Sequence, residues 1–184
     1  CIRDSSQTPE ADGPLEEPSS FEAPQISLER GGDAHFIADQ LERWVETGWL
    51  RALDAHLARF VSDREPQGDP LVMLSAALVS HQLGRGHIFL DLEHALREPD
   101  AVLSLPPHDM QVSNEAAEIV TPGTLLSSMG VHHVDLWRSR LRTSGVLGQG
   151  EGDEHSRPLV LEDQRLYLRR FWQHECSVVA RLQR

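Results

Sequence analysis

The chain has 184 residues, of which 39% are hydrophobic, and this is enough for one domain with a core of its own. Its formal net charge of -12 disfavours contact with nucleic acid or an anionic membrane unless the charges are segregated. All 17 cationic side chains are Arg, so the chain lacks the Lys of an ATP-binding phosphate loop, and its two Cys favour a reducing, cytoplasmic compartment.

The amino-terminal stretch, residues 1–27, carries four Pro among Ser, Glu and Asp. Such a composition buries too little apolar surface to offset the entropy lost on ordering, so we predict a flexible tail. The first helix is predicted from about Ala34 to Thr47, with Asp33 as its N-cap and Gly48 at its end.

The second and third helices complete a predicted helical core over residues 28–98. Leu53, Leu57, Phe60 and Val61 recur at helical spacing, which predicts an apolar face on the second helix. Nearly every residue from 71 to 79 is apolar, and a helix that is apolar on all sides must be buried on all sides. We therefore expect the third helix, capped by Asp69 and ending near Gly84, to organise the core.

After a short extended piece, a fourth helix is predicted over Leu92–Glu98, and three Pro then break the pattern. Residues 99–157 are interpreted as a variable connection, with a surface segment over 99–112 and a loop over 148–157. Its weak helical segments are predicted over Glu115–Val120, Pro122–Met129 and Asp135–Arg142.

Residues 158–184 predict a β-hairpin, with Pro158–Glu162 and Arg165–Arg169 joined by a turn at Asp163, and then a helix. The fold class is thus mainly α, a small helical domain with a short carboxyl-terminal hairpin followed by a helix. In an extended strand Arg165, Tyr167 and Arg169 share one side, and Leu166 and Leu168 share the other. We predict that the first three residues form a free face that binds a partner. The alternative is that Tyr167 packs under the loop over 148–157 and that the two Arg pair with nearby carboxylates.

Several motifs admit a catalytic interpretation, and each has a simpler one. Asp153-Glu154-His155 imitates a Walker B motif without its apolar strand, and GRG at 84–86 is typical of a helix stop. Two groups, His87 with Asp91 and His94, and His132 with His133 and Asp135, lack the paired spacing of a zinc site. His174 and Cys176 point to different faces of a helix. We predict no catalytic, cofactor or metal site in this chain.

Charge is unevenly distributed along the chain. Residues 1–133 carry eight Arg against twenty-two acidic residues, whereas residues 134–184 carry nine Arg against seven. A free-standing nucleic-acid-binding regulatory module would need these Arg on one face, with stacking aromatics such as Tyr167 and Trp172. This module is the main alternative function, and a metal-dependent hydrolase is a third.

Three blocks of sequence, in this order, carry a resemblance to a known family. They are LRALDAHLARFV at 50–61, LVMLSAALVSHQLGRGHIFLDL at 71–92 and PLVLEDQRLYLRRFWQHECSVVARL at 158–182. Together they resemble the amino-terminal region of the exonuclease V alpha subunit, RecD, of the RecBCD helicase-nuclease.

The resemblance implies a non-catalytic domain that docks a RecD-like motor into a complex with RecC-type and RecB-type subunits. It further implies that the whole protein uses ATP and Mg and moves 5' to 3' on DNA during double-strand break repair and recombination. The motor would follow residue 184, and DNA would be reached through the complex. The acidic stretch before Leu28 and the long connection over 99–157 depart from the family pattern, so contacts made there by relatives are not carried over.

Overall fold

The computed structural model describes residues 33–103, 120–148 and 157–183. The predicted tail, residues 115–119 of the helix predicted over Glu115–Val120, and the Asp153–His155 motif lie outside these ranges. The helices are α1 (Ala34–Glu46), α2 (Ala52–Asp63), α3 (Pro70–Gly84), α4 (Leu92–Arg97), α5 (Pro122–Ser128), α6 (Val134–Arg142) and α7 (Arg169–Leu182). The strands are β1 (Leu90–Asp91), β2 (Leu147–Gly148), β3 (Leu159–Glu162) and β4 (Arg165–Leu168). The mainly α fold class, with a hairpin followed by a helix, is confirmed.

Helix α3 lies at the centre of the fold, as its sequence predicts. Asp69 caps it by accepting a hydrogen bond from the Leu71 amide at 2.9 Å. Every residue from Leu71 to Gln82 is buried, because α3 packs against α1 and α2, against α6 and against β4. The chain leaves the helix through Gly86, whose φ of +91° favours Gly.

Helix α2 packs on α3 through a face that differs from the predicted one. Its buried residues are Asp54, Ala55, Ala58 and Val61. Leu53 and Phe60, which we expected in the core, are 67% and 49% exposed. The prediction was wrong for these two side chains, because the small Ala residues let the backbones of α2 and α3 approach closely and because bonds from α3 satisfy Asp54.

The segment over 99–112 was expected on the surface, but its described part, residues 99–103, enters the core. A short 3-10 turn over Pro99–Val102 buries Val102 and Leu103. The Gln82 side chain fixes this turn by donating to the Val102 carbonyl at 2.8 Å. Pro99 predicted a break in helical structure, and α4 does end at Arg97, but the burial of Val102 and Leu103 was not predicted.

Helices α5 and α6 confirm the weak signals that predicted them. Thr121 caps α5. Trp137 of α6 is fully buried and donates its indole N–H to the Ser75 hydroxyl of α3 at 2.8 Å. The predicted connection therefore supplies core residues around α3.

The predicted hairpin is present, with Asp163 in the left-handed region at its turn (φ +52°). It forms the centre of a four-stranded sheet in the order β1-β4-β3-β2. β1 is antiparallel to β4, and β2 is parallel to β3. None of the helices in the described ranges is long and apolar enough to cross a membrane.

Candidate partner-binding surface

Strand β4 separates the predicted interface residues from the main core. Leu166 is buried in that core and Leu168 packs against it, whereas Tyr167 belongs to a second apolar cluster with Val160 and Trp172. The alternation of β4 is therefore as predicted. The face that carries Tyr167 is not free, however, because α7 follows β4 directly and lays Trp172 over it. Tyr167 is only 4% exposed.

Arg165 is the one exposed member of the predicted trio. Its guanidinium lies 4.8 Å from the centre of the Phe89 ring, and Phe89 in turn contacts Tyr167 with ring centroids 5.4 Å apart. Burial raises the pKa of the Tyr167 hydroxyl, and a hydrogen bond with Arg165 offsets part of this rise. Arg165 thus presents a cation at the edge of a buried aromatic cluster.

Arg169 does not extend β4 but begins α7, and its side chain is buried. Its Nε donates to the Arg157 carbonyl at 2.7 Å, while its Nη2 has no hydrogen-bond partner. Within the described residues, Arg169 forms no ion pair with a carboxylate. The sequence analysis placed Arg169 on the wrong element, since β4 ends one residue earlier.

A pocket of about 290 Å³ lies at the start of α7, and we call it the arginine pocket. Three cationic residues and three apolar residues contribute to its lining, namely Arg157, Arg169, Arg170, Leu57, Pro158 and Leu168. No Asp or Glu of the described residues lines it. The sequence did not predict this pocket, because it brings together α2, the start of β3 and α7.

Two apolar surfaces also escaped the sequence analysis as interfaces. The α2 stripe consists of Leu53, Leu57 and Phe60, which follow one another at helical spacing and lie exposed or half-buried. The α7 face consists of Phe171, Val178, Val179 and Leu182, which are between 36% and 82% exposed. Helical periodicity had identified the α2 stripe, but we interpreted it as core.

The Arg residues near the carboxyl end do not all remain available to a partner in the folded domain. Arg138 pairs with Asp135, and Arg140 forms a two-point ion pair with Asp69. These two Arg on α6 are therefore engaged by carboxylates, whereas Arg169 is buried. Within the described residues, these ion pairs remove two members of the basic face that the nucleic-acid alternative needs.

The histidine groups do not assemble into a metal centre within the described ranges. No group of three or more His, Cys, Asp or Glu there is arranged to hold a metal ion. His87, Asp91 and His94 do line one cavity of about 430 Å³, but Asp91 is engaged as the N-cap of α4, accepting from the His94 amide at 3.0 Å. His132 and His133 are exposed.

A buried polar cluster joins α2 to α3, and the sequence analysis missed it. Ser80 donates its hydroxyl to Asp54 at 2.7 Å, and the His81 Nδ1 lies 3.0 Å from the same carboxylate. Burial alone would raise the pKa of Asp54, but hydrogen bonds from His81, Arg51 and Ser80 outweigh it and hold that pKa well below its usual range. The Ser80 hydroxyl donates to the carboxylate itself, so the cluster does not have the Ser-to-His contact of a hydrolase triad. We interpret it as a structural link.

Comparison with known families identifies the fold. The family model of the amino-terminal domain of the RecBCD enzyme subunit RecD matches residues 46–167, from the end of α1 to Tyr167 in β4. No curated protein matches the chain. Because the match covers more than half of the chain, the chain belongs to the family of RecD amino-terminal domains.

Proposed function

We propose that this domain is non-catalytic and docks a RecD-like subunit into a RecBCD-type complex, with a RecC-type subunit as its direct partner. Membership of the RecD amino-terminal family supports this role. The ATP- and Mg-dependent 5' to 3' movement on DNA, the contact with a RecB-type subunit and a cytoplasmic place in break repair and recombination are part of the same proposal. These activities are assigned to the whole protein and its complex.

The observation that carries the proposal is the α7 face. Val178 and Val179 are about half exposed and Leu182 is 82% exposed, although they lie on one helix within a short distance of each other. Apolar side chains that are grouped on a surface mark a contact with another protein more often than isolated ones do. Arg165 lies exposed near the base of the same helix and is a further candidate contact, since Arg is common at interfaces.

The geometry also bears on the competing functions. A regulatory module that binds nucleic acid would use an unbroken basic surface, and the pairing of Arg138 and Arg140 with carboxylates removes part of it. Tyr167 and Trp172, the aromatic residues that such a module would stack on bases, are buried at 4% and 7% exposure. Docking to a protein is therefore the better supported function.

A binding measurement with the cognate RecC-type subunit tests the proposal. We expect the chain to bind, and we expect the double change Val178→Ser and Leu182→Ser to weaken binding by about tenfold or more, because central apolar contacts dominate interfaces. The matched control is Leu136→Ser, which removes a side chain that is 42% exposed on α6. Unchanged melting temperatures in all variants would assign the loss to the interface. Failure of the unaltered chain to bind would contradict the proposed function.

A further inference from the structure

We propose that the α2 stripe and the arginine pocket form one docking surface, which accepts a partner protein segment that carries a carboxylate side chain beside apolar ones. This inference rests on the proposed docking function and specifies the chemistry of the partner. Leu57 belongs to both features, so the apolar stripe leads directly into the cationic pocket.

Two of the Arg that line the pocket, Arg169 and Arg170, form no ion pair with a carboxylate of the described residues. Arg169 is buried, and its described neighbours include no carboxylate within ion-pair distance; its Nη2 has no hydrogen-bond partner and its guanidinium lies 5.9 Å from the centre of the Trp172 ring. Arg170 is exposed and forms no ion pair in the described ranges. Among the described residues no carboxylate lines the pocket to offset the buried charge of Arg169, so an anion in this pocket would stabilise the structure.

The amino terminus of α7 adds to the positive electrostatic potential of the pocket. Leu168 provides no side-chain hydrogen bond as N-cap, and the first turn of the helix holds no acidic residue. The Arg169 amide already donates to the Pro158 carbonyl at 2.8 Å, and the other amides of the first turn carry partial positive charge that favours an anion. The pocket therefore combines helix polarity with two cationic side chains that lack acidic partners.

The size and walls of the pocket favour a side-chain carboxylate on a protein. A volume of about 290 Å³ is small for an extended ligand. Leu57, Pro158 and Leu168 give it apolar walls, and the exposed Leu53 and Phe60 extend this surface along α2. Nucleic-acid backbone would follow a track of cations, whereas here the cations meet at one point beside an apolar helix.

The first test uses capped peptides and the isolated chain. Side-chain Nε–Hε resonances of Arg are followed by NMR while Ac-Leu-Glu-Leu-NH2 or its Gln counterpart is added. We expect the Glu peptide to shift the Arg169 and Arg170 resonances and the Gln peptide to shift them far less. Arg170→Glu should remove the response, and Arg142→Glu, an equal charge change at an exposed site on α6, should retain it.

Three results with the peptides would overturn the inference. They are an equal response to the Gln peptide, a response that persists in Arg170→Glu, and no response at all. A ten-residue thymidine oligonucleotide is the competing probe. If it shifts the same resonances at a lower concentration than the Glu peptide, the pocket is a phosphate site for nucleic acid and the inference is wrong.

The second test places the surface in the complex. Against the RecC-type subunit, Arg170→Glu should weaken binding about tenfold, because it replaces attraction by like-charge repulsion, while Arg142→Glu should not. The fold should survive, since an acidic residue in the first turn of a helix is favourable. If binding is normal in Arg170→Glu, this surface is wrong while the docking function stands. If the Glu peptide binds as expected but the RecC-type subunit does not, the surface stands and the assignment of its partner fails.

Discussion

Arg140 and Asp69 join α6 to the start of α3 by a two-point ion pair, in which the Nε and Nη2 of Arg140 each lie 2.6 Å from a carboxylate oxygen of Asp69. Asp69 also caps α3 by accepting from the Leu71 amide. One carboxylate therefore sets both the beginning of the central helix and the position of α6. Burial acts to raise the pKa of Asp69, but the bonds from Arg140 and the Leu71 amide lower it overall.

Removing this ion pair should destabilise the fold. We expect Arg140→Met to lower the free energy of unfolding by about 1 to 3 kcal/mol at neutral pH, because it leaves a partly buried carboxylate without its charged partner. Asp135→Asn, which removes a similar pair at a carboxylate that is 86% exposed, should cost less than about 0.5 kcal/mol. Urea denaturation measures both. Equal effects would show that Asp69 does not link α6 to α3.

The central helix should be sensitive to cavities. Leu74 and Leu78 are both fully buried, so changing either to Ala should cost about 2 to 5 kcal/mol through lost burial and an unfilled cavity. Leu53→Ala on α2 is the matched control, because Leu53 is 67% exposed and should change stability by less than about 0.5 kcal/mol. If the denaturant midpoints of both core variants equal that of the unaltered chain, α3 does not organise the fold.

Asp54 predicts a dependence of stability on pH. Its pKa is lower in the folded chain than in the unfolded chain, so its stabilising effect is complete above the unfolded value of about 4 and is lost as the pH falls toward the folded value. Asp54→Asn should therefore lower the free energy of unfolding by about 2 to 3 kcal/mol at pH 7, and by less in acid. A difference between the two proteins that stays constant or grows below about pH 4 would contradict this account.

Substitutions at Tyr167 and Arg165 should distinguish a residue that stabilises the fold from one that is available to bind a partner. Tyr167→Ala empties a site among Phe89, Val160 and Trp172 and should cost about 3 kcal/mol. Arg165→Ala, at an exposed position on the same strand, should leave the melting temperature nearly unchanged. Thermal denaturation distinguishes them. A stable Tyr167→Ala variant that has lost binding would restore our original view of Tyr167 as a direct contact.

Local signals in the sequence predicted the helices well. Asp33, Asp69 and Thr121 each cap the helix that follows them, since capping depends on hydrogen bonds within a few residues. The apolar run in α3 predicted its complete burial for a similar reason, as no other environment suits it.

Packing between distant segments was harder to predict from the sequence. Strands β1 and β2 have only two residues each, and their pairing with the hairpin depends on neighbours far along the chain. The buried face of α2 was misassigned because Ala and a satisfied Asp can replace larger apolar residues in a close helix contact. The arginine pocket was missed because its residues come from three separate segments.

Hydrogen exchange of the chain with and without the RecC-type subunit tests the docking role most directly. The account predicts that backbone amides of α7 between Cys176 and Leu182, where nearly every side chain is exposed, exchange more slowly in the complex, while those of α5 are unchanged. A complex in which α7 exchanges as fast as in the free chain, or the absence of any complex, would contradict the account.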